Sequence, residues 1–411
     1  MYAENAGTVD LIASEQSATV IAPGRYRVAH HRSVADISRD DWNALFTGHA
    51  ENWDYFTAVE RSRSEHFTYS AIAVYSGDRL IAAAPLFRLD YRLDMTLPES
   101  LRPIADTIAR WAPRLLKMPV LGMGSPMTEE CPIGIDGTLD DAGRQLAVKL
   151  LIDAMHAEAK AQGIKVLALK DVTDGDMKRY DATIQASGFA RMASLPVATL
   201  PLPFDTIEGY LNTMTSRQRS DMRRKFKSAK GMDFEWRDDI SDVHDEILAL
   251  YRATRNNRKA SYEAFDEVPE DYFRQVMAQS GGKARVLLCR IDGVLASFNL
   301  SLVEKDKVIG KFIGMDYSLA RQNNLYFVNW MKMIEFCIEN GIGELQTGQT
   351  TYAVKARMGC KLRRSWIYFK HSGLVLGALF RMIGPRISFE AADPELAGLG
   401  DKAVYLEQTE G

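Results

Sequence analysis

ARVLLCRIDGVLASFNLSLVEKDKVIGKFIGM, residues 284–315, contains apolar runs at 284–291, 294–303 and 308–315. Runs of this length, broken by Asp292-Gly293, predict a hairpin extended by a third strand, so that a meander opens an α/β unit. Upstream, 243–258 has helical spacing. Downstream, 326–340 predicts an amphipathic helix stopped by Gly341. A short strand at 343–347, a helix at 352–358 and a last strand at 365–370 complete the unit.

The first half follows the same plan. Trp42, Leu45, Phe46, Trp53, Phe56 and Val59 recur at helical intervals, predicting one or two helices over 41–61. Strands at 66–75 and 79–87 flank Gly77-Asp78 as a hairpin. A strand at 118–122, a helix at 140–162 capped by Gly163, a central strand at 164–172, a helix at 177–186 and a closing strand at 195–202 follow. The order returns at a period far longer than a solenoid repeat. The expected organisation is a flexible leader at 1–24, domains at 25–204 and 205–385 meeting near Pro203, and an acidic, loosely ordered tail at 386–411.

Composition agrees with a folded chain. The 411 residues are 46% hydrophobic and 26% charged, an ordinary globular balance. A net charge of -3 attracts no nucleic acid globally, so DNA is not an expected partner and any anion must be met by a local cluster. Cys131, Cys289, Cys337 and Cys360 are scattered and form no C-x-x-C pair, which argues for reduced thiols and against a metal site. Glu4, Asp10 and Glu15 replace the basic start of a secretory signal, placing the protein in the cytoplasm. The run at 373–383, GLVLGALFRMI, falls short of the ~20 apolar residues that span a bilayer. It suits a docked helix, or with Arg381 and Arg386 a peripheral membrane contact.

Several segments carry a resemblance. YLNTMTSRQRSDMRRKFKSAKGMDFEW at 210–236, with its R-x-x-x-R-R-x-x-K helix, is similar to the basic helix of Fem-like peptidyltransferases and CelD/BcsL-type GNAT proteins. GMDY at 314–317, the helix from Tyr326 and GIGELQTGQTTYAVKARMG at 341–359 resemble the closing part of the same proteins, and GDRLIAAAPLF at 77–87 resembles double-GNAT proteins. The resemblance implies an α/β fold of two tandem GNAT-like domains with central mixed sheets, and an acyltransferase with its reaction centre in the second. One departure concerns the donor. Where GNAT acetyltransferases carry Q/R-x-x-G-x-G/A to receive the coenzyme A pyrophosphate, residues 321–326 read RQNNLY, without either glycine. The expected co-substrate is acyl-CoA or another activated acyl donor, with no tightly bound cofactor; acyl carrier protein and aminoacyl-tRNA stay open as donors, and a non-catalytic binding module stays open as a different class.

Candidate site residues follow. Arg219, Arg223 and Lys227 share one helical face and Arg224 backs them, a stripe suited to phosphates or to an acidic carrier, or else a solvated basic face; Arg255, Arg258 and Lys259 extend it. The resemblance gives Lys355 a place near the reacting carbonyl, where an ammonium stabilises the oxyanion as a small-molecule amine attacks; the alternative is an exposed helix lysine. Gln346, Thr347 and Gln349 are candidates to orient the acceptor. Asp316, at a strand end, is a candidate general base or a cap. Tyr317 and Tyr326 are candidates for proton return or acceptor contact. No histidine clusters with a nucleophile and no G-x-S-x-G elbow occurs, which favours direct transfer in a ternary complex.

Overall fold

A computed structural model describes residues 11–14, 17–21, 26–92, 110, 117–257, 267–373, 377–378, 381–382 and 393–406. In chain order the first half holds β1 (Leu11–Ser14), β2 (Ser17–Ile21), β3 (Tyr26–His31), α1 (Arg39–Leu45), α2 (Trp53–Arg61), β4 (Thr68–Ser76), β5 (Arg79–Arg92), β6 (Lys117–Met123), β7 (Gly134–Ile135), α3 (Asp141–Ala161), β8 (Val166–Thr173), α4 (Asp174–Ala186), β9 (Ala190–Ala193) and β10 (Val197–Pro201). The second half holds α5 (Ile207–Asn212), α6 (Ser216–Phe226), β11 (Met232–Arg237), α7 (His244–Asn256), α8 (Tyr272–Gln279), β12 (Ala284–Ile291), β13 (Val294–Val303), β14 (Lys307–Met315), α9 (Tyr317–Ala320), α10 (Leu325–Glu339), β15 (Glu344–Gly348), α11 (Tyr352–Arg357), β16 (Lys361–Arg363), β17 (Ser365–His371) and α12 (Pro394–Leu399).

The chain divides into two compact units: Met1–Thr47, Ser64–Ser194 and Ser365–Ser388 form one, and Gly48–Arg63, Leu195–Arg364 and Phe389–Gly411 form the other. The first is built on a sheet ordered β1-β2-β3-β4-β5-β6-β8-β17-β9, with β7 beside β5. Its core lies between the sheet and α3, whose Ala147, Val148, Leu151, Met155 and Ala159 are buried at helical spacing against Ile72, Leu86 and Leu169. The Asp140 side chain starts α3 by accepting from Gly143 N at 2.8 Å.

The second unit has the order β11-β12-β13-β14-β15-β10-β16. The meander is present as read: Asp292 and Gly293, at φ 50° and 80°, close the β12–β13 hairpin with the two left-handed residues that such a turn requires. Gly314 has a specific reason to lack a side chain. A Cβ there would lie 2.3 Å from the Phe298 ring and 2.8 Å from the Leu250 backbone, so the glycine lets α7 approach β14.

Five expectations change. The runs at 195–202 and 365–370 exchange places: β10 pairs with β15 and β16 in the second sheet, while β17 is inserted between β8 and β9 in the first. Each is an apolar run that pairs as well in one sheet as in another, and sequence order does not name its partner. The division therefore falls at Ser194–Leu195 and Arg364–Ser365 rather than at Pro203. The leader contains strands β1 and β2, in antiparallel register with each other and with β3. Of the helices expected over 41–61, α2 packs in the second unit, with Tyr55 donating to or accepting from Tyr272 at 3.0 Å. The tail contains α12, with Leu396 in the second core, and Tyr405 bridged to Leu362. Most of 373–383, with Arg386, lies outside the described residues.

Candidate active site

The two units differ where their central parallel strands end. In the second, β14 and β15 pair through Lys307–Glu344, Val308–Leu345 and Ile309–Gln346, and the register stops there although β14 runs on to Met315 and β15 to Gly348. We term the strand ends beyond Gln346, left out of the paired register, the notch. In the first, β6 and β8 pair from Val120–Val166 to Met123–Leu169, and the next loop is bonded across the strand ends: Cys131 N donates to Asp171 O at 2.8 Å and Lys170 Nζ to Thr128 O at 2.8 Å. Ser125, Met127, Thr128 and Cys131 of that loop are buried, so the corresponding place is filled.

The β15 arm of the notch holds Lys355. Its side chain comes from the short helix α11 and is only 5% exposed, which excludes an exposed helix lysine. The ammonium donates to Gly348 O at 3.1 Å and to Thr347 O, carbonyls beyond the last residue paired with β14. These bonds satisfy a buried cation and two strand-end acceptors together. Cys360, whose thiol burial pushes up to about 11 against the opposing pull of Lys355, lies 3.8 Å from Thr347 Oγ1.

The residues expected to orient an acceptor mostly hold the exchanged strand instead. Thr347 Oγ1 donates to Ala198 O at 2.9 Å and Gln349 Nε2 to Leu195 O at 2.9 Å. Tyr352, fully buried and not singled out from the sequence, donates to Pro196 O at 2.8 Å. The β10–β15 register shifts at Ala198, where side chains take over from the regular ladder. Gln346 is buried beside Thr199, its register partner on β10.

On the β14 arm, Asp316 caps α9: Oδ1 accepts from Ser318 N at 2.8 Å and from Ser318 Oγ at 2.6 Å. Tyr317 is 37% exposed. Tyr326, in the first turn of α10, stacks with Trp330 at 6.4 Å between centroids. Burial, then the neighbouring Cys360 and Glu395, raise its pKa, so the phenol stays protonated.

The basic residues meet on α6. Thr215 and Gln218 form a capping box at its start, and Met222 anchors it in the second core. Arg219, Arg223, Arg224 and Lys227 line an open hollow of about 340 Å³ together with Ser216 and Ser220, hydroxyls that carry no sequence signal of their own. Arg223 pairs with Glu208, Arg224 with Asp221, and Arg219 donates to Asn212 Oδ1 at 3.1 Å; these are exposed contacts that a polyanion can displace. The end of α6 approaches the start of α10: Lys225 Nζ lies 3.6 Å from the Phe327 ring centre, and Asn324 donates to Ser228 Oγ at 3.0 Å. Arg255 pairs instead with Glu267, while Arg258 and Lys259 lie outside the described residues.

Glu395 also escapes a reading of the sequence. Its Oε2 accepts from Ala353 N at 3.3 Å, at the start of α11, where Thr351 provides no side-chain cap. The two residues are 42 positions apart, and no local pattern joins them. Among the described residues no cluster of side chains is arranged to hold a metal, and no helix is long and apolar enough to cross a membrane.

Residues 216–355 match the family described as acetyltransferase (GNAT) domain. Among solved structures, FemX is similar over 85% of this chain and 98% of its own, with TM-score 0.56 and 13% identity. A tandem GNAT protein from the clavulanic acid biosynthesis pathway is similar over 85% of this chain and 99% of its own, with TM-score 0.50 and 14% identity. Curated proteins give no sequence match.

Proposed function

Since this chain has a double-GNAT, Fem-like fold, we propose that it is an N-acyltransferase with its reaction centre in the second unit. The carrying observation is the contrast between the strand ends: those of β14 and β15 part after three paired residues, whereas those of β6 and β8 are bridged by a buried loop. One unit thus keeps a notch for a reacting carbonyl, and the other serves as scaffold or acceptor platform.

In this reading the acyl carbonyl lies in the notch and the polyanionic part of the donor on α6. A neutral amine attacks, forming the C–N bond, and the carbonyl oxygen becomes an oxyanion next to the Lys355 ammonium. Collapse of the intermediate breaks the bond to the thiolate or ribose oxygen. Tyr326, kept protonated by burial, gives its proton to that leaving group and recovers the one lost by the amine. Asp316 is engaged as a cap, so solvent takes the proton that makes the amine neutral. The donor class is an acyl-CoA, an acyl carrier protein or an aminoacyl-tRNA, and the setting is cytoplasmic.

Native mass spectrometry of freshly purified protein identifies a retained donor, and mass spectrometry of reactions with donor and amine pools detects amide. Amide formed in proportion to time and enzyme is the expected result. Stoichiometric binding without turnover would overturn catalysis in favour of a binding module.

A further inference from the structure

We propose that the C-terminal segment 393–406 braces α11 and β16 of the second unit, and that Glu395 is a positioning residue acting on Lys355 through α11. The inference rests on the site reading above and adds a residue to it.

The segment is held along its length. Asp393 Oδ1 caps α12 by accepting from Glu395 N at 2.7 Å, and Pro394 starts the helix. Leu396 is 1% exposed, in the same core as Tyr352, Met358 and Leu362. Further on, Leu362 N donates to Val404 O and Leu406 N to Leu362 O, both at 2.8 Å, and the Arg364 guanidinium lies 4.6 Å above the Tyr405 ring. The backbone bonds and the ring contact that leave the segment fall on Leu362 and Arg364, in β16 and next to it, just after the stretch that carries Lys355 and Cys360.

Glu395 supplies the contact nearest the chemistry. The six-residue α11 begins at Thr351, which has φ 61° and no side-chain cap, so its first amides need an outside acceptor. The Glu395 carboxylate takes Ala353 N, two residues before Lys355, and its negative charge favours that end of the helix. At the other end Met358 N and Cys360 N both donate to Lys355 O at 3.0 Å. A shift of α11 therefore moves the ammonium from Gly348 O and loosens the turn that buries Cys360.

Cys360 reports on that turn without any assay of acyl transfer. The full-length protein, Glu395→Ala, Glu395→Gln and a variant lacking residues 393–411 are treated with N-ethylmaleimide under native conditions, and the labelling rate of each cysteine is read by peptide mass spectrometry. A hydrogen bond to a charged acceptor is strong enough to shift a local opening equilibrium by about tenfold. The expected result is a rise of that size at Cys360 in Glu395→Ala and a larger one on deletion, while Cys131, Cys289 and Cys337 keep wild-type rates. Glu395→Gln, which retains an acceptor oxygen but loses the charge, rises by less than Glu395→Ala. An unchanged Cys360 rate in Glu395→Ala, an equal rise in Glu395→Gln, or a uniform rise at all four cysteines would overturn the proposal. Failure to form amide, with this labelling contrast intact, would instead sink the proposed reaction and leave the contact network standing.

Discussion

Lys355 Nζ donates to Gly348 O at 3.1 Å, two residues past the point where β15 leaves β14. The ammonium is thus fixed by the backbone that forms one side of the notch, and in the proposed reaction an oxyanion there meets a charge that needs no rearrangement. Lys355→Ala is expected to lower the transfer rate by about 10²–10³ with little change in donor affinity, because such a contact acts mainly in the transition state. Single-turnover rates and equilibrium binding, measured on protein of unchanged circular dichroism, check this; a normal rate would leave the lysine only its strand-end role.

The hollow on α6 is open and its ion pairs are exposed, so donor binding through it is expected to weaken with salt, since charges are screened over ~8–10 Å. Changing Arg219, Arg223 and Lys227 together to Ala should lower affinity at low salt and flatten the dependence. A steep wild-type slope indicates an RNA donor and a shallow one a single pyrophosphate. Equal affinities of the two proteins at every salt level would reduce the stripe to a solvated face.

Asp171 clasps two of the crossings between the units, Ser194 where the chain leaves the first unit and Ser365 where it returns. Its Oδ1 accepts from Ser194 Oγ at 2.6 Å and Ser365 Oγ at 3.4 Å, while its backbone has φ 59°. Asp171→Ala removes the acceptor and places alanine in a left-handed conformation, an expected loss of about 2–4 kcal/mol. Asp171→Asn keeps an oxygen and tolerates that backbone, so it should cost less. Hydrogen exchange in β8 and β17 reads the difference, and equal protection in the two variants would contradict it.

His156 sets a pH dependence. Burial first, then the charge of Lys370, lower its pKa from 6.5 to about 4, and Nε2 accepts from Lys370 Nζ at 2.9 Å. Between those values the unfolded chain binds more protons than the folded one, so the neutral histidine's contribution is complete above 6.5 and is lost as pH falls toward 4. His30 and His31, lowered chiefly by burial, act in the same direction. His156→Gln is therefore expected to flatten part of the fall in Tm between pH 7 and 4.5 on a thermal melt series, and a slope identical to wild type would remove the assignment.

The amino-acid sequence by itself determined what depends on neighbours along the chain. The Asp292-Gly293 hairpin, the third strand of the meander, the helix stopped at Gly341 and the stripe of Arg219, Arg223 and Lys227 all follow from turn chemistry and from periods of two or 3.6 residues. Tertiary structure decided what depends on which edge or end is left unsatisfied. An apolar run has no means of naming its sheet; β10 is placed where Thr347 meets its Ala198 carbonyl and Gln349 and Tyr352 meet the carbonyls of Leu195 and Pro196 just before it, and β17 where Asp171 receives Ser365. For Lys355 the sequence left an exposed helix lysine beside a place near the reacting carbonyl, and only the carbonyls of Thr347 and Gly348, beyond the last β14–β15 pair, draw the side chain inside. Glu395 lies in a tail whose sequence has no period, and its role comes from a helix start that only the folded chain brings within hydrogen-bonding distance.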